Sequence, residues 1–169
     1  MELPSHEALG NIGPLIRAEW HVPAELANTL RRQLKKVPKP VTGYMLIDTG
    51  AGATAIAEHA AQQLELNVIG MTPNFGVAGL QSLNRYYARF AMLIAGRRPP
   101  TKVITREFSV CGTKELDKYS EQLTNLGLPG YKHPINLIGL LGRDFLRSAR
   151  LTYDGPAKTF KLEWRPESS

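Results

Sequence analysis

Residues 12–22, Ile-Gly-Pro-Leu-Ile-Arg-Ala-Glu-Trp-His-Val, alternate apolar and polar positions with the period of a strand, and Pro23 ends the run. From 24 to 36 the spacing changes. Leu26, Leu30 and Leu34 recur every fourth residue while Arg31, Arg32, Lys35 and Lys36 fall on the other side, which predicts a surface helix with one buried stripe. Pro38 and Pro40 break the chain before a second strand, Thr42 to Ile47. After Asp48-Thr49-Gly50, the strong helix formers from Ala57 to Leu64 predict a short helix. Gly76 to Gly79 separate two stretches of strand character, the second running from Arg85 to Ile94, and so predict a hairpin tip. Val103 to Val110 is a further strand. The polar region 112–134, with Gly112, Gly127, Pro129, Gly130 and Pro134, predicts a loop with a helical piece. Ile135 to Leu141 is an apolar run, Arg143 to Arg147 a helical turn. Leu151 to Tyr153 and Thr159 to Trp164, joined through Asp154-Gly155, predict a final hairpin. The expectation is a mainly β chain with about three short helices and no internal repeat.

Composition changes this picture little. A chain of 169 residues, 43% hydrophobic and 21% charged, suits one globular domain with a substantial core. Cys111 is the only cysteine, so no disulfide forms within the chain. No stretch approaches the roughly 20 apolar residues of a membrane span. The start, Met1-Glu2-Leu3-Pro4-Ser5-His6, lacks a basic residue followed by an apolar run, so no secretory signal is read and a cytoplasmic protein is expected. The net charge of +6 raises the question of nucleic acid. Its basic residues cluster at 31–39 and 97–102 without interleaved aromatic residues, however, which describes a solvated helix face better than a binding module. Nucleic acid is not an expected partner.

The chemistry concentrates at Asp48. The aspartate follows the apolar run Tyr44-Met45-Leu46-Ile47, near a core where a carboxylate is costly unless its surroundings suit it. Thr49 offers a hydroxyl to brace the turn, and Gly50 removes the Cβ where backbone or ligand must approach. Gly50-Ala51-Gly52-Ala53-Thr54-Ala55 also fits a dinucleotide-binding fingerprint between strand and helix. Asp48 would put negative charge beside the pyrophosphate, and the acidic ribose ligand about 20 residues on is missing at Asn67-Val68-Ile69-Gly70, so that reading is set aside. His6, His21, His59 and His133 are scattered without metal-ligand spacing, and no metal site is expected.

Leu46-Ile47-Asp48-Thr49-Gly50-Ala51-Gly52-Ala53-Thr54 resembles the catalytic loop of retroviral-type aspartic proteases. Leu140-Leu141-Gly142-Arg143-Asp144-Phe145-Leu146 resembles the second signature of that family, and the hairpin at 76–79 lies where the family carries its flap. In this order the three features span about 12–164 and are most similar to the small bacterial retropepsin-like proteases. The resemblance implies a closed β-barrel domain over 12–164, with insertions at about 24–40 and 111–134 and short tails at 1–11 and 165–169. It implies an aspartic endopeptidase with Asp48 as acid/base, Thr49 and Gly50 completing the catalytic loop, and no cofactor. Ala51, Gly52, Ala53, Ile138 and Leu140 would contact the peptide from below and Val77, Ala78 and Gly79 from the flap. Gly142, Arg143 and Asp144 would act structurally, orienting the C-terminal helix. Two carboxylates are needed, and the four aspartates of the chain (Asp48, Asp117, Asp144, Asp154) repeat the Asp-Thr-Gly context nowhere. The second must come from another copy, so a homodimer is expected. One departure stands out: the family carries an acidic residue at the position of Gly52, where it pairs with the signature arginine. Arg143 must then find another partner. A catalytically weak peptide-binding or dimerisation module is the alternative.

Overall fold

A computed structural model of the chain describes residues 9–76, 79–93, 102–126 and 135–164. The alternating N-terminal segment forms β1 (Leu15–His21), and the amphipathic stretch forms α1 (Ala24–Arg32). Then come β2 (Val41–Ile47), β3 (Ala55–Ala57), α2 (Glu58–Gln63), β4 (Val68–Gly76), β5 (Gly79–Leu93) and β6 (Lys102–Thr113). The chain continues through α3 (Glu115–Leu126), β7 (Leu137–Leu141), α4 (Arg143–Leu146), β8 (Ala149–Asp154) and β9 (Thr159–Trp164).

Pairing runs β1-β2-β7-β3-β6-β5, and β5 returns to β1 through Ala18↔Met92 to His21↔Arg89, which closes a six-stranded barrel. Closure is possible because β5 is long. Its first half pairs with β4 as a hairpin and its second half with β1, while β6 lies along its other edge. Two pairs are parallel, β2 with β7 and β3 with β6. β8 and β9 form a separate hairpin, with Asp154 Oδ1 accepting the Ala157 N–H across its turn at 2.9 Å.

Alternate strand residues meet in one core. Trp20, Met45, Ile56, Leu64, Phe90, Ile138, Leu141 and Phe145 are its largest fully buried side chains. Trp20 packs edge-on to Phe90 at 5.4 Å, Phe90 to Phe145 at 5.1 Å, and Phe145 reaches Trp164 at 5.1 Å. The indole N–H of Trp20 donates to the Ile138 carbonyl at 2.9 Å, so the largest core side chain also ties β1 to β7. A smaller cluster of Leu123, Ile135 and Leu137 anchors α3.

The structure refines the expected elements. The stripe of α1 stops at Leu30: the helix ends at Arg32, and Leu34 is 96% exposed. The helical piece expected within 112–134 is present as a three-turn helix, α3, held by Leu116 and Leu123. Residues 55–57, to which no element was assigned beyond Ala57 as the start of a helix, form a strand, and the expected helix follows from Glu58. Leu9, in the segment expected as a tail, is buried.

Candidate active site

β2 delivers Asp48 to the end of the barrel beside β7, and the Asp48 N–H donates to the Leu141 carbonyl at 3.0 Å. The chain then turns sharply. Asp48 Oδ1 accepts the N–H groups of Gly50 at 2.8 Å and Ala51 at 3.2 Å, so the aspartate braces its own loop. Among the described residues Oδ2 accepts no hydrogen bond. The carboxylate is half-buried, with Thr49 and Gly50 exposed beside it.

The loop is held from below by the second motif. Arg143 Nη1 donates to the carbonyls of Thr49 and Gly50, both at 2.9 Å. The Arg143 N–H donates to Ala51 O at 2.9 Å and the Asp144 N–H to Gly52 O at 3.3 Å. Four consecutive loop carbonyls, from Thr49 to Gly52, are thus satisfied by two residues at the start of α4. The partner that Arg143 lacks at Gly52 is the loop backbone itself. A Cβ built on Gly52 would lie 3.7 Å from Arg143 Nη2, so the space for a pairing acidic group exists and is not used.

Asp144 holds the far end of the loop. Its Oδ1 accepts the Thr54 N–H at 2.9 Å, the Thr54 hydroxyl at 2.7 Å and the Phe145 N–H at 2.8 Å. The Thr54 hydroxyl, fully buried, in turn accepts the Gly142 N–H at 3.2 Å. Gly142 is required by close approach, since a Cβ there would fall 2.5 Å from Ala53 O and 2.8 Å from Thr54 N. Gly142, Arg143 and Asp144 therefore do more than orient α4: they lock the Asp48 loop. Thr54 belongs to this lock and was not singled out from the sequence. Its signal is the polar residue that precedes the apolar Ala55-Ile56-Ala57.

No protein-family model and no curated protein sequence matches the chain. The residues must speak for themselves. Asp48, Thr49, Gly50, Ala51, Gly52, Ala53, Gly142, Arg143 and Asp144 meet at one end of the barrel, with Leu140 half-buried on the adjoining strand. Ile138 is a correction: it is fully buried in the core and is closed to a ligand. The β4–β5 hairpin pairs out to Gly76↔Gly79, with Gly79 at φ +93; Val77 and Ala78 lie outside the described residues. The dinucleotide fingerprint loses its premise, because the loop enters β3 and no helix starts at its end.

The other aspartates and the buried Glu58 are engaged elsewhere. Asp117 lies in the first turn of α3, and its Oδ1 is 2.6 Å from His59 Nδ1. Both line an open cavity of about 420 Å³ with Ser120, Glu121, Asn125 and Asn136. Ser120 makes no catalytic triad with them, since its hydroxyl donates to Ile135 O at 2.6 Å and accepts the Leu137 N–H at 3.2 Å. Glu58 is buried and accepts the Tyr86 hydroxyl at 2.5 Å. Burial, with that hydrogen bond, pushes the Tyr86 phenol above its ordinary pKa. Burial likewise pushes the Cys111 thiol up, away from the thiolate form in which a cysteine reacts. Among the described residues no group of three or more His, Cys, Asp or Glu could hold a metal, and no helix is long and apolar enough to cross a membrane.

Proposed function

We propose that the chain is one half of a homodimeric aspartic endopeptidase with a retropepsin-like barrel. The observation that carries the reading is the Asp48 carboxylate: one oxygen is spent on Gly50 and Ala51, the other accepts nothing among the described residues, and the loop is clamped by Arg143 and Asp144. Such an aspartate is aimed and fixed, and no other aspartate of the chain is free to face it, because Asp117, Asp144 and Asp154 are committed to His59, Thr54 and Ala157. A two-fold axis past Thr49 would bring a second Asp48 to face the first. Two carboxylates at close range share one proton, since both cannot ionise together. The ionised one takes a proton from water as the oxygen attacks the peptide carbon. The protonated one donates to the carbonyl oxygen. Collapse of the tetrahedral intermediate breaks the C–N bond and passes a proton to the amine.

A second reading rests on Gly52. Without an acidic side chain there, the floor of the cleft offers a peptide fewer anchors, as in a domain that binds or dimerises and turns over little. Cleavage of an unstructured polypeptide by the wild type and by Asp48→Asn, with and without a statine-type transition-state mimic, tests the protease. The expected result is inhibitable cleavage that Asp48→Asn abolishes at unchanged thermal stability; equal cleavage by both removes Asp48 from the mechanism. Sedimentation separates the readings, as a strict monomer at micromolar concentration leaves Asp48 unpaired and favours the second.

A further inference from the structure

The turn after α1 violates two local rules at one residue. The Lys35 N–H donates to Leu30 O at 2.9 Å and the Leu34 N–H to Arg31 O at 3.0 Å, the bond pair of a Schellman motif. Leu34 therefore occupies the left-handed position that glycine normally fills, with φ 55. Its side chain is also 96% exposed, the most exposed large apolar group among the described residues. α2 ends in the same motif with Glu65 at φ 52, where a polar residue suits the exposed position. A leucine gains nothing there within the fold, and glycine would remove the backbone strain.

The surroundings say what it could gain outside the fold. Arg31, Arg32, Lys35, Lys36 and Lys39 lie within five residues of it in the chain and are all exposed, and none of the five pairs with an acidic group among the described residues. Val37 packs back against the core three residues later, so the tip is a fixed projection between α1 and its anchor. A single exposed apolar side chain flanked along the chain by exposed cations fits a surface that is anionic at its face and apolar just beneath. That describes an acidic phospholipid bilayer. A phosphate backbone satisfies the cations but has no use for the leucine.

From this we infer that the turn Arg31–Lys36 docks the protein reversibly on an anionic lipid surface, with Leu34 inserted at the headgroup boundary and the basic side chains on lipid phosphates. The contact is peripheral, as one small apolar insertion supported by a basic patch does not anchor irreversibly. Each cation strengthens binding about fivefold near an acidic leaflet. Insertion of one leucine contributes about tenfold.

The test is co-sedimentation of the full chain with vesicles of phosphatidylcholine alone or with about one-third phosphatidylserine, and titration against double-stranded RNA. Two variants carry it. Leu34→Gly suits the left-handed position and keeps the fold; Lys35→Glu/Lys36→Glu reverses two charges. Expected are binding to the acidic vesicles only, a loss of about 25-fold or more in the double variant, and a loss of about tenfold in Leu34→Gly at an undiminished melting temperature. The inference is overturned by no binding to acidic vesicles at low salt, or by Leu34→Gly binding them as well as the wild type. Tighter binding to RNA that ignores Leu34→Gly overturns it in favour of nucleic acid.

Discussion

Thr54→Val tests the lock on the Asp48 loop at its most buried point. The substitution keeps the shape and exchanges the hydroxyl for a methyl group at a fully buried position. Two hydrogen bonds go: Thr54 Oγ1 to Asp144 Oδ1 at 2.7 Å, and Gly142 N–H to Thr54 Oγ1 at 3.2 Å. The first ends on a carboxylate and is worth about 1.5–3 kcal/mol, while a stranded buried N–H costs about 1–3 kcal/mol. Asp144 Oδ1 keeps the Thr54 and Phe145 N–H groups, so the lower part of the first range applies. The added methyl returns at most about 1 kcal/mol of apolar burial. The net loss is about 2–4 kcal/mol, a large part of the roughly 5–15 kcal/mol that folds an ordinary domain. Thr54→Ser keeps both hydrogen bonds and loses about 1 kcal/mol for one methyl group. Urea unfolding followed by the fluorescence of the buried Trp20, at one fixed protein concentration, reads the difference. With a slope of about 2 kcal/mol per molar urea, the valine midpoint falls about 1–2 M and the serine midpoint by no more than about 0.5 M. A valine midpoint at or above that of serine would refute the lock as the source of loop stability.

The other predictions are narrower. Asp48→Asn abolishes cleavage without lowering the melting temperature, as stated above, and Leu34→Gly weakens acidic-vesicle binding about tenfold. Gly52→Asp, built at a position with ordinary backbone and 3.7 Å from Arg143 Nη2, gains at most about 1 kcal/mol in thermal unfolding, because the pair is exposed. A loss of stability would show that the space beside Arg143 is not usable. For Tyr86 the raised pKa sets the sign: the folded state holds the phenol proton more tightly than the unfolded chain, so its stabilisation is present below about pH 10 and is lost as pH rises beyond. Tyr86→Phe therefore removes part of the alkaline loss of stability, and pH-dependent unfolding curves that stay parallel for the two proteins would contradict this.

The strands that close the barrel were readable where alternation was strict, as in β1, or where glycines marked a tip, as between β4 and β5. Asp154 announced its turn because an aspartate caps the backbone three residues on. α3 was partly masked: Leu116, Tyr119 and Leu123 carry a helical stripe, but the glycines and prolines that follow dominate the local composition. β3 gave no local signal, since Ala55-Ile56-Ala57 is too short to alternate and is a strand only because β6 and β7 flank it. Leu34 deceived by its spacing, which continues the stripe past a helix that has already ended. The Arg143 clamp was invisible for a different reason: its partners are 93 and 94 residues away in the chain and are backbone carbonyls, which every residue has.

The same clamp changes what Gly52 means for the loop. An acidic residue there would serve two separable ends, fixing the arginine and offering the substrate an anchor. In this chain the first end is met without it, because Arg143 is fixed by Thr49 O and Gly50 O and its own N–H holds Ala51 O. The loop that presents Asp48 thus loses none of its rigidity to the glycine. Rigidity matters for half a site more than for a whole one. Two carboxylates that share a proton must meet within hydrogen-bonding reach, and in a homodimer any slack in one loop is repeated in its copy. A domain that kept this fold only to bind or to dimerise would have no use for a carboxylate pinned through one oxygen and left open at the other. On the proposed protease reading, the missing acid at Gly52 therefore weighs on how a peptide would be gripped, and the four clamped carbonyls weigh on whether it would be cut.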